Sequence, residues 1–199
     1  MGRTGTHSLK DALQVLLGGT CHHMIEVFAH PEEVPVWTDA IEGRPVDWGQ
    51  LLGGYTALVD WPGASFWREI LAANPDALVL LSVRDPEAWY KSAMDTIFAG
   101  LARSDGDIGP WMVSMKQLLG DRFCNDFADK DAMIAAFLRH NDEVRAEAPA
   151  GQLLEWEPAD GWAPICERLG VAVPDEAFPI ANTTADFRAM MGMPPIAQD

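Results

Sequence analysis

The chain has 199 residues, 48% of them hydrophobic, and carries 30 Asp and Glu against 14 Lys and Arg, for a formal net charge of −16. That length predicts one domain over 1–199 with a substantial core. The acidic balance speaks against a nucleic-acid surface, which rests on clustered cations, and no apolar run approaches the roughly 18 residues a membrane span requires.

The opening "GRTGTHS" reads as a tight turn running into a helix over 8–17, which puts Leu9, Leu13, Leu16 and Leu17 on one face and stops at Gly18-Gly19. A short strand is expected at 21–24. Residues 31–54 are rich in turn formers and hold Trp37 and Trp48. "TALVD" (56–60) reads as a buried strand, 65–73 as a helix stopped by Asn74-Pro75, and "ALVLLSV" (77–83) as the clearest buried strand. A helix over 85–102 begins with Asp85 as cap and Pro86 at its first position. Helices over 112–119 and 131–146, a strand over 152–156 and a helix around 162–169 complete the reading. The alternation predicts an α/β fold with a mostly parallel sheet. Cys21, Cys124 and Cys166 are too scattered for a disulfide framework. With no leader-like start they point to a cytoplasmic, reducing setting. No CxxC or HExxH occurs, so no metal is expected.

Two places look built for anions. In the opening turn, backbone N–H groups and a helix N-terminus face the same point, with Arg3, Thr4, Thr6 and Ser8 as further donors. The Walker pattern GxxxxGK[ST] does not match, because Thr6 stands where its lysine would be. In "LLSVRDPEAWYKSAM", Arg84 emerges at the end of a buried strand and Ser92 returns to the same side one helix face later. Strand ends of open α/β sheets are where ligands bind, and a guanidinium with a hydroxyl suits a phosphate. Each feature alone also has a plain structural reading: a helix start, and an arginine paired with a carboxylate.

Together they resemble the sulfotransferases that use 3′-phosphoadenosine 5′-phosphosulfate (PAPS), within the small bacterial and fungal sulfotransferase-like subfamily. The shortened P-loop [KR]-[ST]-G-T is similar to Arg3-Thr4-Gly5-Thr6. The strand-end Arg with a Ser eight residues on is similar to Arg84 and Ser92. Likeness extends through "CHHMIEV", "VDWPGASFW", "VRDPEAWYKS", "GWAPICERLG" and "FPIANTTADFR". The resemblance implies a three-layer α/β/α P-loop-like sandwich and transfer of a sulfuryl group from PAPS to a hydroxyl or amine of a small acceptor, with no metal. It implies that Arg3, Thr4, Gly5, Thr6, His7 and Ser8 hold the 5′-phosphosulfate, Arg3 also acting on the departing phosphate oxygen. Arg84 and Ser92 would hold the 3′-phosphate, with Asn182 and Arg188 of the tail closing over the nucleotide. Lys10 and Lys91 are candidate extra charges.

Such a transfer needs a base. Asp60, at the end of "TALVD", is the first candidate; its alternative is a cap or salt-bridge partner. His22, His23 and Glu26 form the rival cluster. Trp37, Trp48, Trp61 and Trp89 stand either as acceptor-pocket walls or as core, the pocket drawing on 21–54 and 100–130. The strand that should carry the opening loop is missing from the sequence. That predicts either a start downstream of the natural one or a shortened protein with impaired activity. It would also leave sheet edges that favour a homodimer. A kinase-like enzyme and a non-catalytic scaffold are the competing readings.

Overall fold

The computed structural model describes residues 1–102 and 105–196, with the backbone alone over 105–108. Helix α1 (Thr6–Leu17) starts at Gly5, which adopts φ 84°, and is closed by Gly18 at φ 67°. A short strand, β1 (Cys21–His22), follows and hands over at once to α2 (Met24–Ala29). The expected strand at 21–24 ends early because His23 is the cap of α2: its Nδ1 accepts the Ile25 N–H at 3.2 Å. The stretch 31–54 is helical where turns were expected, forming α3 (Val34–Ile41) and α4 (Trp48–Leu52).

Strand β2 (Ala57–Leu58) pairs in parallel with β1, Cys21 opposite Ala57. Beyond α5 (Trp67–Ala73), β3 (Val79–Ser82) pairs in parallel with β4 (Leu153–Trp156). The described residues therefore form two separate two-stranded parallel sheets, β1-β2 and β3-β4, rather than the single sheet expected. The chain is α/β with short parallel strands.

After β3, Asp85 caps α6 (Pro86–Ala93) by accepting the Ala88 N–H at 2.8 Å. The expected helix over 85–102 does not run straight. Residues Met94–Phe98 form a π turn before α7 (Ala99–Leu101). The Thr96 hydroxyl donates back to the Ser92 carbonyl at 2.5 Å, the kind of side-chain competition that loosens a helix. Helix α8 (Asp105–Arg122) is broken at Gly109, φ 70° and ψ 162°, just before Pro110. Then come α9 (Lys130–Glu147), α10 (Ala163–Leu169) and α11 (Thr184–Met190).

Aromatic residues dominate the larger core. Trp37 and Trp89 are fully buried there, and Trp89 stacks on Phe137 of α9 at 4.4 Å. Leu9 and Leu13 of α1 pack with Trp156 and Ile165 in a second cluster. Both clusters place the N-terminus of α1 and the carboxyl ends of the strands around one cavity. No helix among the described residues is long and apolar enough to cross a membrane.

Candidate functional site

The cavity encloses about 520 Å³. Its polar end is the opening loop, which one strand–helix unit fastens from four points. The Ser82 and Thr4 hydroxyls lie 2.6 Å apart, and Thr4 also donates to the Met1 carbonyl at 2.6 Å. The Trp89 indole donates to the Gly2 carbonyl at 3.1 Å. Arg84 donates to the Arg3 carbonyl at 2.9 Å, and Arg3 in turn donates through Nε to Ser92 Oγ at 3.0 Å. This holds Arg3 at φ 68°, a backbone conformation that costs a non-glycine residue energy and persists only where neighbours enforce it. Gly5 is needed for a second reason: a Cβ there would sit 2.6 Å from Pro158 Cγ.

No side chain caps α1, so its first-turn N–H groups lack partners within the helix and carry its positive end. Arg3 and Arg84 stand beside them. Among the described residues neither guanidinium has a carboxylate partner, whereas Lys10, Arg68, Lys91, Arg122, Lys130 and Arg145 all do. Burial first, and the facing Arg84 second, press the Arg3 guanidinium toward a lower pKa, with Asp60 opposing. Two cations converging in a chain of net charge −16 make an arrangement whose chemistry suits an anion.

On the facing strand ends, His23 Nε2 lies 3.0 Å from Asp60 Oδ2. The Nδ1 lone pair of His23 is already taken by the Ile25 N–H, which assigns the ring proton to Nε2, so His23 donates to Asp60. Burial, the largest influence, lowers the His23 pKa against the opposing pull of Asp60. Asp60 Oδ1 is buried without a partner, beside Gly2, where a Cβ would come within 2.9 Å of it. His7 also faces the cavity, its ring 5.3 Å from that of His23 and its Nδ1 unpartnered. Asp60 adopts φ 70°, a second strained position at the site.

The expected site residues separate cleanly. Arg3, Gly5, Thr6, His7, His23, Asp60, Arg84 and Ser92 all line the cavity. Thr4 is buried behind the loop and works as a brace. Ser8 is turned to the tail, its Oγ accepting the Ala181 N–H at 3.0 Å. Arg188 does not line the cavity; its guanidinium donates to the carbonyls of Pro194 and Asp95. The His22, His23, Glu26 cluster divides. His22 is buried against Glu33 at 3.1 Å, Glu26 pairs with Lys10 at 3.1 Å, and only His23 of the three reaches the cavity. Lys91 pairs with Asp95 at 2.7 Å. Of the tryptophans, Trp61 lines the cavity, while Trp37 and Trp89 are core and Trp48 packs on it.

Sequence reasoning passed over α11. Arg3 donates to the Asn182 carbonyl at 3.1 Å and the Thr184 hydroxyl at 3.4 Å, and sits over the Phe187 ring at 5.6 Å. Asn182 and Arg188 are both expected at the site; Asn182 lines it, and from the helix that follows, Thr184, Phe187 and Met190 line it while Arg188 does not. The signal of that helix was present: Thr183 and Asp186 form a reciprocal capping box. Among the described residues no group of three or more His, Cys, Asp or Glu is placed to hold a metal ion.

Comparison with known proteins adds an independent line. Residues 1–187 match the family model for the sulfotransferase domain. Ava biosynthesis cluster protein M of Aspergillus versicolor is 31% identical over 199 residues, a match that spans 89% of this chain and 76% of the relative.

Proposed function

The chain belongs to the sulfotransferase-domain family, and from that premise we propose that it transfers a sulfuryl group from PAPS to a hydroxyl of a small molecule. The observation that carries this reading is the adjoining Arg3 and Arg84, without carboxylate partners among the described residues, beside the uncapped start of α1. The donor set fits a nucleotide with a phosphate at each end. Arg84 and Ser92 would hold the 3′-phosphate. Arg3 and the N–H groups of Gly5, Thr6 and His7 would hold the 5′ end. When bound, PAPS supplies a sulfuryl group on a phosphate leaving group.

The protein's own part is alignment and charge. Arg3 and the first-turn N–H groups stabilise the negative charge that grows on the departing phosphate oxygen. Asp60 takes the proton of the attacking hydroxyl at Oδ1, the atom left unpartnered. His23 holds Asp60 through Oδ2 and is a positioning residue, since neither of its nitrogens has a lone pair to spare. The P-loop-like three-layer arrangement belongs to the same proposal. It is supported by parallel strands whose carboxyl ends meet the start of α1.

Calorimetric titration with 3′,5′-ADP and with 5′-AMP tests the reading. The 3′-phosphate should raise affinity by about 10–100-fold, the scale of one charge-assisted contact set. Equal affinity for the two would overturn it.

A further inference from the structure

The walls of the cavity divide by chemistry. Its ionisable lining residues are Arg3, His7, His23, Asp60, Arg84 and Glu157, from loops and element ends around the start of α1. A second wall is formed by residues 181–191, with Asn182, Thr183 and Thr184 nearest Arg3, and a third by α2, the 94–101 segment and α8. The third contributes Met24, Ile25, Phe28, Ile97, Met112 and Met115, and among the described residues no ionisable side chain from it lines the cavity.

We propose, resting on the sulfotransferase reading, that the acceptor is an uncharged, mainly apolar ring compound carrying a hydroxyl. Sugars, carboxylic acids and zwitterions are excluded. Three physical arguments support this. A polyhydroxylated acceptor lying against α2, the 94–101 segment and α8 would surrender its water hydrogen bonds to side chains that offer no hydroxyl, amide or charge in return. An anionic acceptor would meet Asp60 inside and a net charge of −16 outside. A flat apolar ring, by contrast, gains from burial against thioethers and the Trp61 face.

Methionine is the second half of the argument. Five of the nine methionines, Met24, Met112, Met115, Met190 and Met191, line this cavity. Unbranched thioether chains re-pack around different outlines. The wall therefore selects for polarity more than for shape, and ring systems of different outline should be accepted. Phe28, 46% exposed, extends the same apolar surface to the rim.

The test uses 2-naphthol, 6-hydroxy-2-naphthoate and glucose as probes, titrated calorimetrically with and without saturating 3′,5′-ADP. Expected, with 3′,5′-ADP saturating and Arg3 and Arg84 thereby engaged, is one-to-one binding of 2-naphthol, about tenfold or more weaker binding of the carboxylate, for want of a partner for its charge, and none of glucose. Phe28→Asp, at an exposed position, should weaken 2-naphthol several-fold and leave 3′,5′-ADP affinity intact. Met112→Lys serves as an interior variant, with circular dichroism checking its fold. If 3′,5′-ADP binds but glucose or the carboxylate matches 2-naphthol, or if Phe28→Asp changes nothing, the acceptor inference fails alone. If 2-naphthol binds as expected while 3′,5′-ADP does not bind at all, the nucleotide reading fails and the ligand class of the cavity stands.

Discussion

Arg84 donates a hydrogen bond to the main-chain carbonyl of Arg3 at 2.9 Å, so one guanidinium both faces the cavity and clamps the residue that supplies the cavity's other guanidinium. Arg84→Ala should therefore weaken 3′,5′-ADP by about 1.5–3 kcal/mol and erase the preference over 5′-AMP. It should also release Arg3 from its strained φ, so the 5′ end suffers too. Calorimetry with both nucleotides on wild type and variant reads both effects. A variant that still prefers 3′,5′-ADP would refute the assignment.

Asp60→Asn keeps the shape of the side chain and removes its capacity to take a proton. Sulfuryl transfer to 2-naphthol should fall by roughly 10²–10⁴ in kcat, with 3′,5′-ADP affinity unchanged. His23→Gln retains a donor toward Asp60 and should be milder than His23→Leu, which leaves Oδ2 unpartnered as well. If the two His23 variants behave alike, the histidine does not act by orienting the carboxylate.

His22, His23 and His140 are all held below the ordinary imidazole value of 6.5, burial being the first cause in each, and His140 is pushed down to about 3 with help from nearby positive charge including Arg68. On unfolding each ring returns to its ordinary value, so below 6.5 the unfolded chain binds more protons than the folded one. Stability is then full above 6.5 and is lost as pH falls toward the folded values. Urea midpoints should drop between about pH 6.5 and 5, and His140→Asn should flatten that drop. An unaltered slope in the variant would show that this ring does not carry the effect.

Gly5→Ala meets two obstacles at once, a φ of 84° and Pro158 Cγ at 2.6 Å. A cost of about 1–3 kcal/mol is expected from the strain alone, with the loop displaced and nucleotide binding lost. Thermal unfolding with and without 3′,5′-ADP checks it. A variant of normal stability that still binds would mean the loop has room to move.

What could be read from the sequence was local. Asp85-Pro86 announces α6 by its own cap chemistry, and a run apolar nearly throughout announces β3. Once strand and helix are placed, Arg84 and Ser92 must face the same side. The stretch 31–54 is rich in turn formers yet holds α3 and α4, because a turn former at a helix start does not break the helix. Pro35 in fact sits in the first turn of α3, where a missing N–H costs nothing. His23 was ambiguous for a similar reason: in "CHHM" nothing distinguishes a strand residue from a helix cap. Lys10 shows the other kind of limit. Its partner Glu26 lies sixteen positions away, and only the folded chain reveals that its charge is already engaged. Arg188 missed the cavity in the same way, by a contact with the distant Asp95 carbonyl.

The division of the strands into β1-β2 and β3-β4 sets how this molecule should fail. Asp60 and His23 ride on one pair, Arg84 on the other, and no main-chain ladder joins the pairs among the described residues. Their spacing is kept by side chains: Cys21 and Ala57 of one pair pack with Leu80, Leu154 and Trp156 of the other, and the opening loop bridges them through Thr4 against Ser82 and Thr6 within 3.5 Å of His23. Side-chain packing of this kind yields before the hydrogen-bonded pairs come apart. Turnover should fade at denaturant concentrations where the tryptophan fluorescence of the core is still native.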